Sequence, residues 1–486
     1  MSVLADFGVP VSRLVTDSRA VKVGDTFVAY LGERQDGRTF IAQAIANGAN
    51  AVLWEARDFT WDAAWRVPNV GVVNLRQQTG ELADEVYGQP SEQLWMVGVT
   101  GTNGKTSTSH WISEVLTKNA RKCALIGTLG NGFQGALQHS VNTTPDAIRV
   151  HQSLADYLHQ GAQAVAMEVS SHALSQDRVN AVRFDVALLT NLSRDHLDYH
   201  GSMVHYAASK QRLFEYNGLK YAVLNFDDVY GRELSVGMDF GQTEVIGYGL
   251  SAVARDWGRQ QGISVVQGEL LAMDRAGLRL AIRCGWGNGL ISSELVGRFN
   301  AENLLAVLTV ALVSGVPFDA AMQSLTTVQP VAGRMQRLTF PNKPNVFVDY
   351  AHTPDALEKV LLTLRETCGT GKLHCVFGCG GDRDRGKRAL MGKVAEQYAD
   401  VGVVTSDNPR SEEPRQIITD VLSGMVKATF EVIEDRALAI QTIIQRATAN
   451  DTVLIAGKGH ENYQEIQGIR QPFSDVAVAL EALNHV

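Results

Sequence analysis

The sequence is poor in cysteine, has no excess of basic residues and contains no long hydrophobic run. Its 486 residues include five cysteines, an odd number without a C-x-x-C pair, so we expect no disulfide framework and a reducing compartment. Lys and Arg together number 44 against 52 Asp and Glu, a net charge of −8. This balance argues against nucleic acid or an anionic membrane as the main partner. The longest apolar stretch, residues 304–313, is about half of the roughly 20 residues that cross a bilayer.

No targeting segment, internal repeat or low-complexity segment is visible. The first ten residues lack a basic start followed by an apolar run, so no signal peptide is predicted. Hydrophobic residues make up 45% and charged residues 20% of the chain, as in ordinary globular proteins. We expect a soluble cytoplasmic monomer without a membrane or nucleic-acid partner. Cys375 and Cys379, close to His374, are interpreted as part of a buried strand that runs into a glycine loop rather than as a metal site.

The length favours about three domains, because a single core rarely exceeds about 250–300 residues. Breaks that contain Gly and Pro, near residues 87–91 and 329–333, divide the chain. The fold class expected is α/β, with a small mixed α/β N-terminal domain at residues 1–88, a central domain at 89–329 and a C-terminal domain at 330–486. In the last domain apolar strand patterns alternate with helical patterns, which is the signature of parallel α/β sheets.

A glycine-rich loop follows a predicted strand and precedes a predicted helix. Residues 93–99 have a buried-strand pattern, residues 101–106 spell GTNGKT, and a helical pattern covers residues 107–116. The free N–H groups and the dipole of a helix N-terminus bind phosphate. Lys105 would reach the outer phosphates, and the Thr106 hydroxyl would ligate Mg²⁺. Val replaces the first glycine of the strict GxxxxGK[ST] motif, so the loop is a variant, and it predicts a P-loop-like parallel sheet in the central domain.

Two further predicted strands end in potential metal ligands. Residues 164–168 form an apolar pattern that ends at Glu168, and residues 184–190 lead into a short polar loop. That loop contains Asp195, His196, Asp198 and His200. The carboxyl ends of parallel strands lie at one edge of a sheet, where ligands bind, and Mg²⁺ prefers hard oxygen ligands. We therefore expect Glu168 and Thr106 to share one metal ion.

The motifs along the chain resemble those of the Mur ligase family. The matching segments occur in the family's order: GTNGKT and residues 168–172, 195–200, 300–303, 333–335, 349–352 and 380–383. Asp407-Asn408-Pro409-Arg410 resembles the motif of the members that add meso-diaminopimelate. The resemblance implies a uridine-nucleotide-binding N-terminal domain, a central ATP-binding domain and a C-terminal Rossmann-like domain that brings the amino acid. It also implies an ATP-dependent acid–amino-acid ligase of peptidoglycan precursor synthesis, which forms an acyl phosphate and uses Mg²⁺.

The resemblance also implies roles for individual residues. Catalysis would depend on Lys105, Lys210, His196 and Arg334. ATP would be bound by Gly101, Thr102, Asn103, Gly104, Lys105, Thr106, Ser107, Asn303, Asp349 and His352. The UDP-muramoyl dipeptide would be bound by Thr16, Ser18, Glu33, Arg34, Gln35, Asn142, Thr143, Thr144, Ser170, Gln176 and Arg178. Diaminopimelate would contact Arg383, Asp407, Asn408, Pro409, Arg410, Gly457 and Glu461. The metal would be held by Thr106, Glu168, His196 and Lys210, the last as a carbamate.

Three alternatives stay open on the sequence. A lysine-adding muramoyl ligase should lack Arg410. A folylpolyglutamate synthetase-like ligase would need neither the motif at residues 407–410 nor a uridine-binding domain. A nucleotide-switch protein would hydrolyse ATP or GTP without an acid and an amine, although the Asn-Lys-x-Asp guanine signature is not found in the sequence.

For one residue, Lys210, the residue type alone suggests a different role from the one that the resemblance implies. At two other positions the sequence has a residue that differs from the one usual in the family. Lys210, on a likely helix, would be a solvated surface lysine, and only the resemblance makes it a carbamate. Pro145 stands after residues 142–144 where Gly is usual, and Gln336 stands after residues 333–335 where Glu is usual. The second departure removes a carboxylate but leaves Arg334 in place.

Overall fold

The computed structural model is an α/β protein built on three successive sheets. It describes residue 4 and residues 8–33, 35–140, 142–274, 277–427 and 430–485. Within these ranges the strands form four-, ten- and six-stranded sheets and one two-stranded hairpin. The expected α/β class, with a central phosphate-loop sheet and a C-terminal Rossmann-like sheet, is confirmed. Arg34, expected at the uridine nucleotide, lies outside the described residues.

The first sheet is small and parallel. Its elements are β1 (Leu14–Val15), β2 (Thr26–Ala29), α1 (Ile41–Ala46), β3 (Ala51–Glu55), β4 (Asn69–Val72) and α2 (Leu75–Val86). Neighbouring strands follow sequence order, and all neighbouring pairs are parallel. Short 3₁₀ helices also occur along the chain, at Ser18–Ala20, Gly37–Phe40, Pro90–Glu92 and Arg212–Glu215.

The central sheet holds the phosphate-loop strand in its interior. Its strands are β5 (Trp95–Thr100), β6 (Cys123–Gly127), β7 (Gly130–Gly132), β8 (Ala164–Glu168), β9 (Val186–Leu189), β10 (Tyr221–Asn225), β11 (Glu244–Gly249), β12 (Ser264–Asp274), β13 (Gly277–Cys284) and β14 (Gly287–Ser293). The helices of this part are α3 (Lys105–Lys118), α4 (Ala147–His159), α5 (Ser171–Ser175), α6 (Leu197–His200), α7 (Met203–Gln211), α8 (Val229–Gly237), α9 (Ala252–Gln261), α10 (Arg298–Val313) and α11 (Phe318–Leu325).

The order of the central strands places four carboxyl ends side by side. The order is β14-β13-β12-β11-β10-β9-β5-β8-β6-β7, and every neighbouring pair from β12 to β6 is parallel. The carboxyl ends of β9, β5, β8 and β6 therefore meet at one edge. Antiparallel strands complete both sides of the sheet. Two residues separate β12 from β13 and β13 from β14, too few for the helix that a parallel crossover would need.

The third sheet is mostly parallel. Its strands are β15 (Gln336–Leu338), β16 (Asn345–Asp349), β17 (Leu373–Phe377), β18 (Val401–Val404), β19 (Phe430–Val432) and β20 (Thr452–Ala456), and the hairpin is β21 (Tyr463–Ile466) with β22 (Ile469–Pro472). The helices are α12 (Pro354–Thr367), α13 (Gly386–Tyr398), α14 (Pro414–Leu422), α15 (Arg436–Arg446) and α16 (Asp475–His485). The order is β15-β16-β20-β17-β18-β19, with β15 antiparallel to β16 and the other pairs parallel.

The longest apolar stretch of the sequence forms most of α10, which is buried against α3, β11 and β12. In the part of the chain that the structure describes, no helix is long and apolar enough to cross a membrane.

Cys375 lies on β17 and Cys379 follows it, both buried. The strand interpretation of these cysteines is confirmed.

Candidate active site

The phosphate loop connects β5 to α3 and requires glycine at two positions. Gly101 and Gly104 have φ angles of +141° and +87°, a region that favours glycine. A Cβ atom on Gly101 would lie 1.9 Å from Thr190 Oγ1, and one on Gly104 would lie 2.6 Å from Asn303 Oδ1. Both glycines are therefore needed for the backbone conformation and for the close approach of a neighbouring side chain.

The end of the adjacent strand β9 holds the backbone of this loop. Thr102 N donates to Asn191 O at 2.8 Å, and Asn103 N donates to Asn191 Oδ1 at 3.0 Å. Thr190 Oγ1 donates to Asn103 O at 2.6 Å. The loop conformation is thus fixed by two residues that follow β9, and it does not depend on the loop sequence alone.

Lys105 and Thr106 lie at the start of α3, next to Glu168 at the end of β8. Lys105 Nζ donates to the carbonyl oxygens of Gly101 and Thr102, each at 2.9 Å. Burial lowers the pKa of the Lys105 ammonium below its usual value. Thr106 Oγ1 donates to Glu168 Oε2 at 3.0 Å. The structure therefore brings together the hydroxyl and the carboxylate that were expected to share a metal ion.

Thr128, which the sequence analysis did not single out, also contacts the Glu168 carboxylate. It follows β6, the neighbour of β8. Its N–H donates to Glu168 Oε1 at 2.8 Å, and its hydroxyl donates to Glu168 Oε2 at 3.1 Å. Its position directly after a strand was a usable signal, but the order of the strands in the sheet was needed to place it beside Glu168.

Helix α7 brings Lys210 directly beneath the phosphate loop. Lys210 is 1% exposed, and its Nζ donates to Gly101 O at 2.8 Å. The same nitrogen lies 4.5 Å from the centre of the Tyr206 ring. Burial, together with the positive charge of Lys105, lowers the pKa of Lys210 well below its usual value. The surface-lysine interpretation of this residue is therefore wrong.

His196 faces the same region from the loop after β9. Its φ angle is +53°, its Nε2 lies 3.4 Å from Asp195 Oδ2, and its ring centre lies 4.8 Å from that of His172. Burial lowers the pKa of His196 to about 3. The imidazole is therefore neutral near pH 7, which is the form that binds metal ions.

The C-terminal region contributes Arg334 and Asp349 to this edge of the central sheet. Arg334 donates from a terminal guanidinium nitrogen to Thr106 Oγ1 at 3.3 Å, and its guanidinium carbon lies 4.3 Å from the centre of the Tyr350 ring. Asp349 Oδ2 accepts a hydrogen bond from Met335 N at 2.7 Å. Burial raises the pKa of Asp349. A cation from another region thus reaches the first turn of α3.

His352 and Asn303 approach the phosphate loop from two sides. His352 Nε2 lies 4.0 Å from Asp195 Oδ2, and its Nδ1 lies 2.9 Å from Tyr350 O. Burial lowers the pKa of His352 to about 4. Asn303 is buried on α10, and its Oδ1 accepts a hydrogen bond from Thr108 Oγ1 at 3.4 Å. Both residues line the cleft described below. This position is compatible with ATP binding, which stays a prediction for these residues.

A chain of hydrogen bonds leads from the central sheet toward the N-terminal sheet. Arg178 donates to Thr144 O at 2.8 Å and from Nε to Gln176 Oε1 at 2.9 Å. Gln176 Nε2 donates to the Tyr199 hydroxyl at 3.1 Å, which in turn donates to Glu33 Oε1 at 3.0 Å. Side chains expected at the muramoyl dipeptide are therefore connected across the two regions.

Not every residue expected at the muramoyl dipeptide faces the cleft. Those that line it are Glu33, Gln35, Asn142, Thr143, Ser170, Gln176 and Arg178. The lining does not include Thr16, Ser18 or Thr144. Ser18 Oγ donates to Gln43 Oε1 at 2.8 Å, and Thr144 Oγ1 donates to Glu168 O at 2.8 Å.

Arg410 lies beside the glycine loop at residues 380–383. Its backbone pairs with the β21–β22 hairpin, with Arg410 N donating to Glu465 O at 3.0 Å. Its guanidinium donates to Gly381 O at 2.7 Å. Arg383 and Arg410 both line the cleft. Two cations that were expected at a carboxylate of the amino acid therefore face the same space.

Lys458, a second residue that the sequence analysis missed, contacts the polar side chains next to Arg410. It is fully buried, and its Nζ donates to Asn408 Oδ1 at 2.9 Å and to Glu461 Oε2 at 3.0 Å. Its Nζ also lies 3.5 Å from Asp407 Oδ1. Glu461 lines the cleft, whereas Asp407, Asn408, Pro409 and Gly457 are not among the lining residues.

These groups open into one cleft of about 2050 Å³ whose walls come from all three regions. The N-terminal region contributes Glu33, the central region the phosphate loop, and the C-terminal region Arg334, Arg383 and Arg410. A ligand in this cleft can therefore contact all three regions at once.

The donors at the phosphate loop fit a magnesium ion. Among the described residues, no three His, Cys, Asp or Glu side chains come together as a metal cluster. The expected set contains only two such side chains, Glu168 and His196, so its fit depends on its oxygen donors. The buried Glu168 carboxylate and the Thr106 hydroxyl are hard oxygen ligands of the kind that Mg²⁺ prefers.

Family models match three consecutive parts of the chain. The Mur ligase family catalytic domain matches residues 10–87, the Mur ligase middle domain matches residues 99–311, and the Mur ligase glutamate ligase domain matches residues 333–459. The chain belongs to the Mur ligase family. The resemblance found in the sequence motifs is therefore confirmed.

Two relatives of this Mur ligase are similar over nearly their whole length. Both are named UDP-N-acetylmuramoyl-L-alanyl-D-glutamate–2,6-diaminopimelate ligase. The one from Chromobacterium violaceum is 52% identical over 484 residues, covering 99% of this chain and 96% of the relative. The one from Neisseria meningitidis serogroup A is 47% identical over 492 residues, covering 99% and 98%.

Solved structures of Mur ligases have the same fold. A UDP-N-acetylmuramoyl-L-alanyl-D-glutamate–2,6-diaminopimelate ligase is 38% identical, with a TM-score of 0.69 over 98% of this chain and 95% of that one. A MurF ligase from Thermotoga maritima in complex with ADP is 17% identical, with a TM-score of 0.64 over 100% and 99%. The second likeness shows the fold alone.

Proposed function

We propose that this Mur ligase uses ATP to join meso-2,6-diaminopimelate to UDP-N-acetylmuramoyl-L-alanyl-D-glutamate, with release of ADP and phosphate. The observation that carries the proposal is the single cleft shared by the phosphate loop and the Arg383–Arg410 pair. A phosphate site and a carboxylate site in the same cleft suit an enzyme that activates one acid and then adds an amino acid to it. The near-full-length relatives with this name support the same reaction.

The chemistry explains why ATP is required. A carboxylate does not react with an amine at neutral pH, because its oxygen is a poor leaving group. Transfer of the γ-phosphoryl group of ATP to the D-glutamyl carboxylate gives an acyl phosphate and ADP. The amine then attacks the acyl carbon, loses a proton and displaces inorganic phosphate, which leaves an amide.

The phosphate loop supplies positive charge and position for the phosphoryl transfer. Lys105 lies within the loop, and Arg334 reaches Thr106 from the C-terminal region. Positioning and charge neutralisation provide most of the catalysis in phosphoryl transfer. Thr106, Glu168, His196 and a carbamate on Lys210 would hold Mg²⁺. When bound, this ion would neutralise charge on the phosphates.

The C-terminal region would select the amino acid. meso-Diaminopimelate carries one more carboxylate than lysine, and Arg383 and Arg410 provide cations for it in the cleft. Arginine can engage both oxygens of a carboxylate at once. Glu461, supported by Lys458, would accept a hydrogen bond from the distal ammonium. We also propose that the enzyme acts as a monomer in the cytoplasm, where ATP and nucleotide-linked precursors are available.

A phosphate-release assay with a panel of substrates tests the proposal. Phosphate should be released from ATP when the muramoyl dipeptide nucleotide and meso-diaminopimelate are both present, and much less with L-lysine, with L-glutamate or with no amine. Omission of the muramoyl dipeptide nucleotide should also stop release.

Each departure from this pattern identifies a different function. A preference for L-lysine would indicate a lysine-adding enzyme. Phosphate release without either acid or amine would indicate a nucleotide switch. Either result would contradict the proposed reaction.

A further inference from the structure

One carboxylate of the C-terminal region contacts the phosphate loop and its neighbouring loop directly. Asp355 lies in the first turn of α12. Its Oδ2 accepts hydrogen bonds from Asn103 Nδ2 at 3.1 Å and from Ser193 Oγ at 3.0 Å. Asn103 belongs to the phosphate loop, and Ser193 belongs to the loop after β9. A single oxygen atom thus joins α12 to both loops.

Both donors are firmly connected to the phosphate loop. Asn103 N and O are bonded to Asn191 and Thr190, as described above. Ser193 N donates to Thr102 Oγ1 at 2.9 Å. A displacement of Asp355 would therefore have to move the phosphate loop, or break bonds to it. Likewise, a displacement of the phosphate loop would have to move Asp355, or break bonds to it.

The charge of Asp355 requires an explanation, because a carboxylate beside a phosphate-binding loop repels phosphate. Lys359 Nζ lies 3.1 Å from the same Oδ2, one turn later on α12, and offsets this charge. An acidic residue in the first turn of a helix is favourable in itself. That general effect, however, does not account for hydrogen bonds to two loops that belong to another sheet.

We propose that Asp355 is a positioning residue for ligation, which sets the C-terminal region in register with the phosphate loop. It acts through Asn103 and Ser193 and does not touch the reacting atoms. The region that it positions carries Arg383 and Arg410, so the amino acid would be held correctly only when α12 is docked on the loop. The inference rests on the proposed function, because it concerns the same cleft and the same two ligands.

The arrangement couples nucleotide binding to amino-acid binding. A nucleotide that orders the phosphate loop should tighten the binding of meso-diaminopimelate, and the reverse effect must have the same size. Hydrogen bonds to a charged group account for roughly a tenfold or greater change in an equilibrium constant. Loss of Asp355 should therefore reduce the coupling by about that factor.

Calorimetry on the whole enzyme measures this coupling. The dissociation constant of meso-diaminopimelate is determined with the muramoyl dipeptide nucleotide present, with and without a saturating β,γ-methylene analogue of ATP. The ratio of the constant without the analogue to the constant with it should be about ten or more for the unmodified protein and should fall toward one in Asp355→Ala. Asp355→Asn should retain most of the ratio, because an amide oxygen can accept the same two hydrogen bonds.

A matched control and a second variant make the test decisive. Glu358→Gln removes a carboxylate from the same helix, where it accepts a hydrogen bond from Tyr398 at 2.7 Å within the C-terminal region, and should leave the ratio unchanged. As a single change, Ser193→Ala should lower the ratio. When it is combined with Asp355→Ala, it should cause no further decrease. If Asp355→Ala does not fold, the Ser193→Ala result alone decides.

The outcomes separate this inference from the proposed function. An unchanged ratio in Asp355→Ala, or in Ser193→Ala where that variant decides, would overturn the positioning role even if turnover fell. A ratio of one in the unmodified protein would also overturn it. Failure of the unmodified protein to bind meso-diaminopimelate at all would contradict the proposed function, and the inference with it.

Discussion

The amino nitrogen of Lys210 lies 2.8 Å from the carbonyl oxygen of Gly101, although 109 positions separate the two residues in the chain. This contact places an amine beneath the phosphate loop, where burial and the charge of Lys105 lower its pKa well below the usual value. A neutral amine is the form that adds CO₂. The physical environment therefore favours the carbamate that the family resemblance implies.

Lys210→Ala is expected to abolish metal-dependent ligation, because the variant cannot form an anionic oxygen ligand at this position. Removal of CO₂ should inactivate the unmodified enzyme, and bicarbonate should restore it. Labelling with ¹³CO₂ should give a carbamate ¹³C signal that is missing in the variant. Lys220→Ala, at an exposed lysine paired with Asp185, serves as the control. Unchanged activity and Mg²⁺ dependence in Lys210→Ala would contradict the carbamate.

The position of Lys210 shows where prediction from the sequence ends. The strand, loop and helix around GTNGKT could be predicted because the signal is local: an apolar strand, glycines and a helix start within residues 93–116. The burial of Lys210 depends on how α7 packs against α5 and α6 beside the phosphate loop, which periodicity does not encode. The contact of Thr128 with Glu168 could not be predicted from the sequence either, because it follows from the adjacency of β6 and β8.

Lys105→Ala is expected to reduce phosphate release at least about 100-fold, because loss of a preorganised charge at a developing anion typically costs 10²–10³ in rate. The fold should survive, since the bonds that the Lys105 side chain makes to described residues go to carbonyl oxygens of its own loop. Circular dichroism and the phosphate-release assay measure the two effects separately. Lys118→Ala, at the other end of α3, should keep its activity. A folded Lys105→Ala enzyme with normal turnover would contradict the phosphate-loop assignment.

The amino-acid site could be predicted in part from local sequence. Arg383 and Arg410 were marked by their motifs, and both line the cleft. Asp407 and Asn408 belong to the same motif, yet they are buried around Lys458. A four-residue motif cannot by itself distinguish a ligand contact from its support, because the distinction depends on which side chains the β21–β22 hairpin covers.

Glu302 is expected to make stability depend on pH. Burial, reinforced by Asp227, raises its pKa from 4.5 to about 7, so the folded state holds this proton more tightly than the unfolded chain. The contribution of Glu302 to stability should therefore fall as pH rises from about 4.5 through 7, by at most about 3 kcal/mol. Glu302→Gln should match the unmodified protein in melting temperature near pH 4.5 and exceed it at pH 8.5. Glu269→Gln, at an exposed site, should show no difference, and a pH-independent effect of Glu302→Gln would contradict the raised pKa.

Arg410→Ala is expected to lower kcat/KM for meso-diaminopimelate about 10- to 150-fold, because a hydrogen-bonded charge pair contributes roughly 1.5–3 kcal/mol. The KM for ATP should change little, since the phosphate loop belongs to another sheet. Arg410→Lys should recover only part of the loss, because an ammonium cannot engage both carboxylate oxygens as the planar guanidinium does. Arg415→Ala, at an exposed arginine paired with Glu434, controls for loss of surface charge. If Arg410→Ala kept its full preference for diaminopimelate over lysine, the specificity assignment would be wrong, while ATP-dependent ligation would stand.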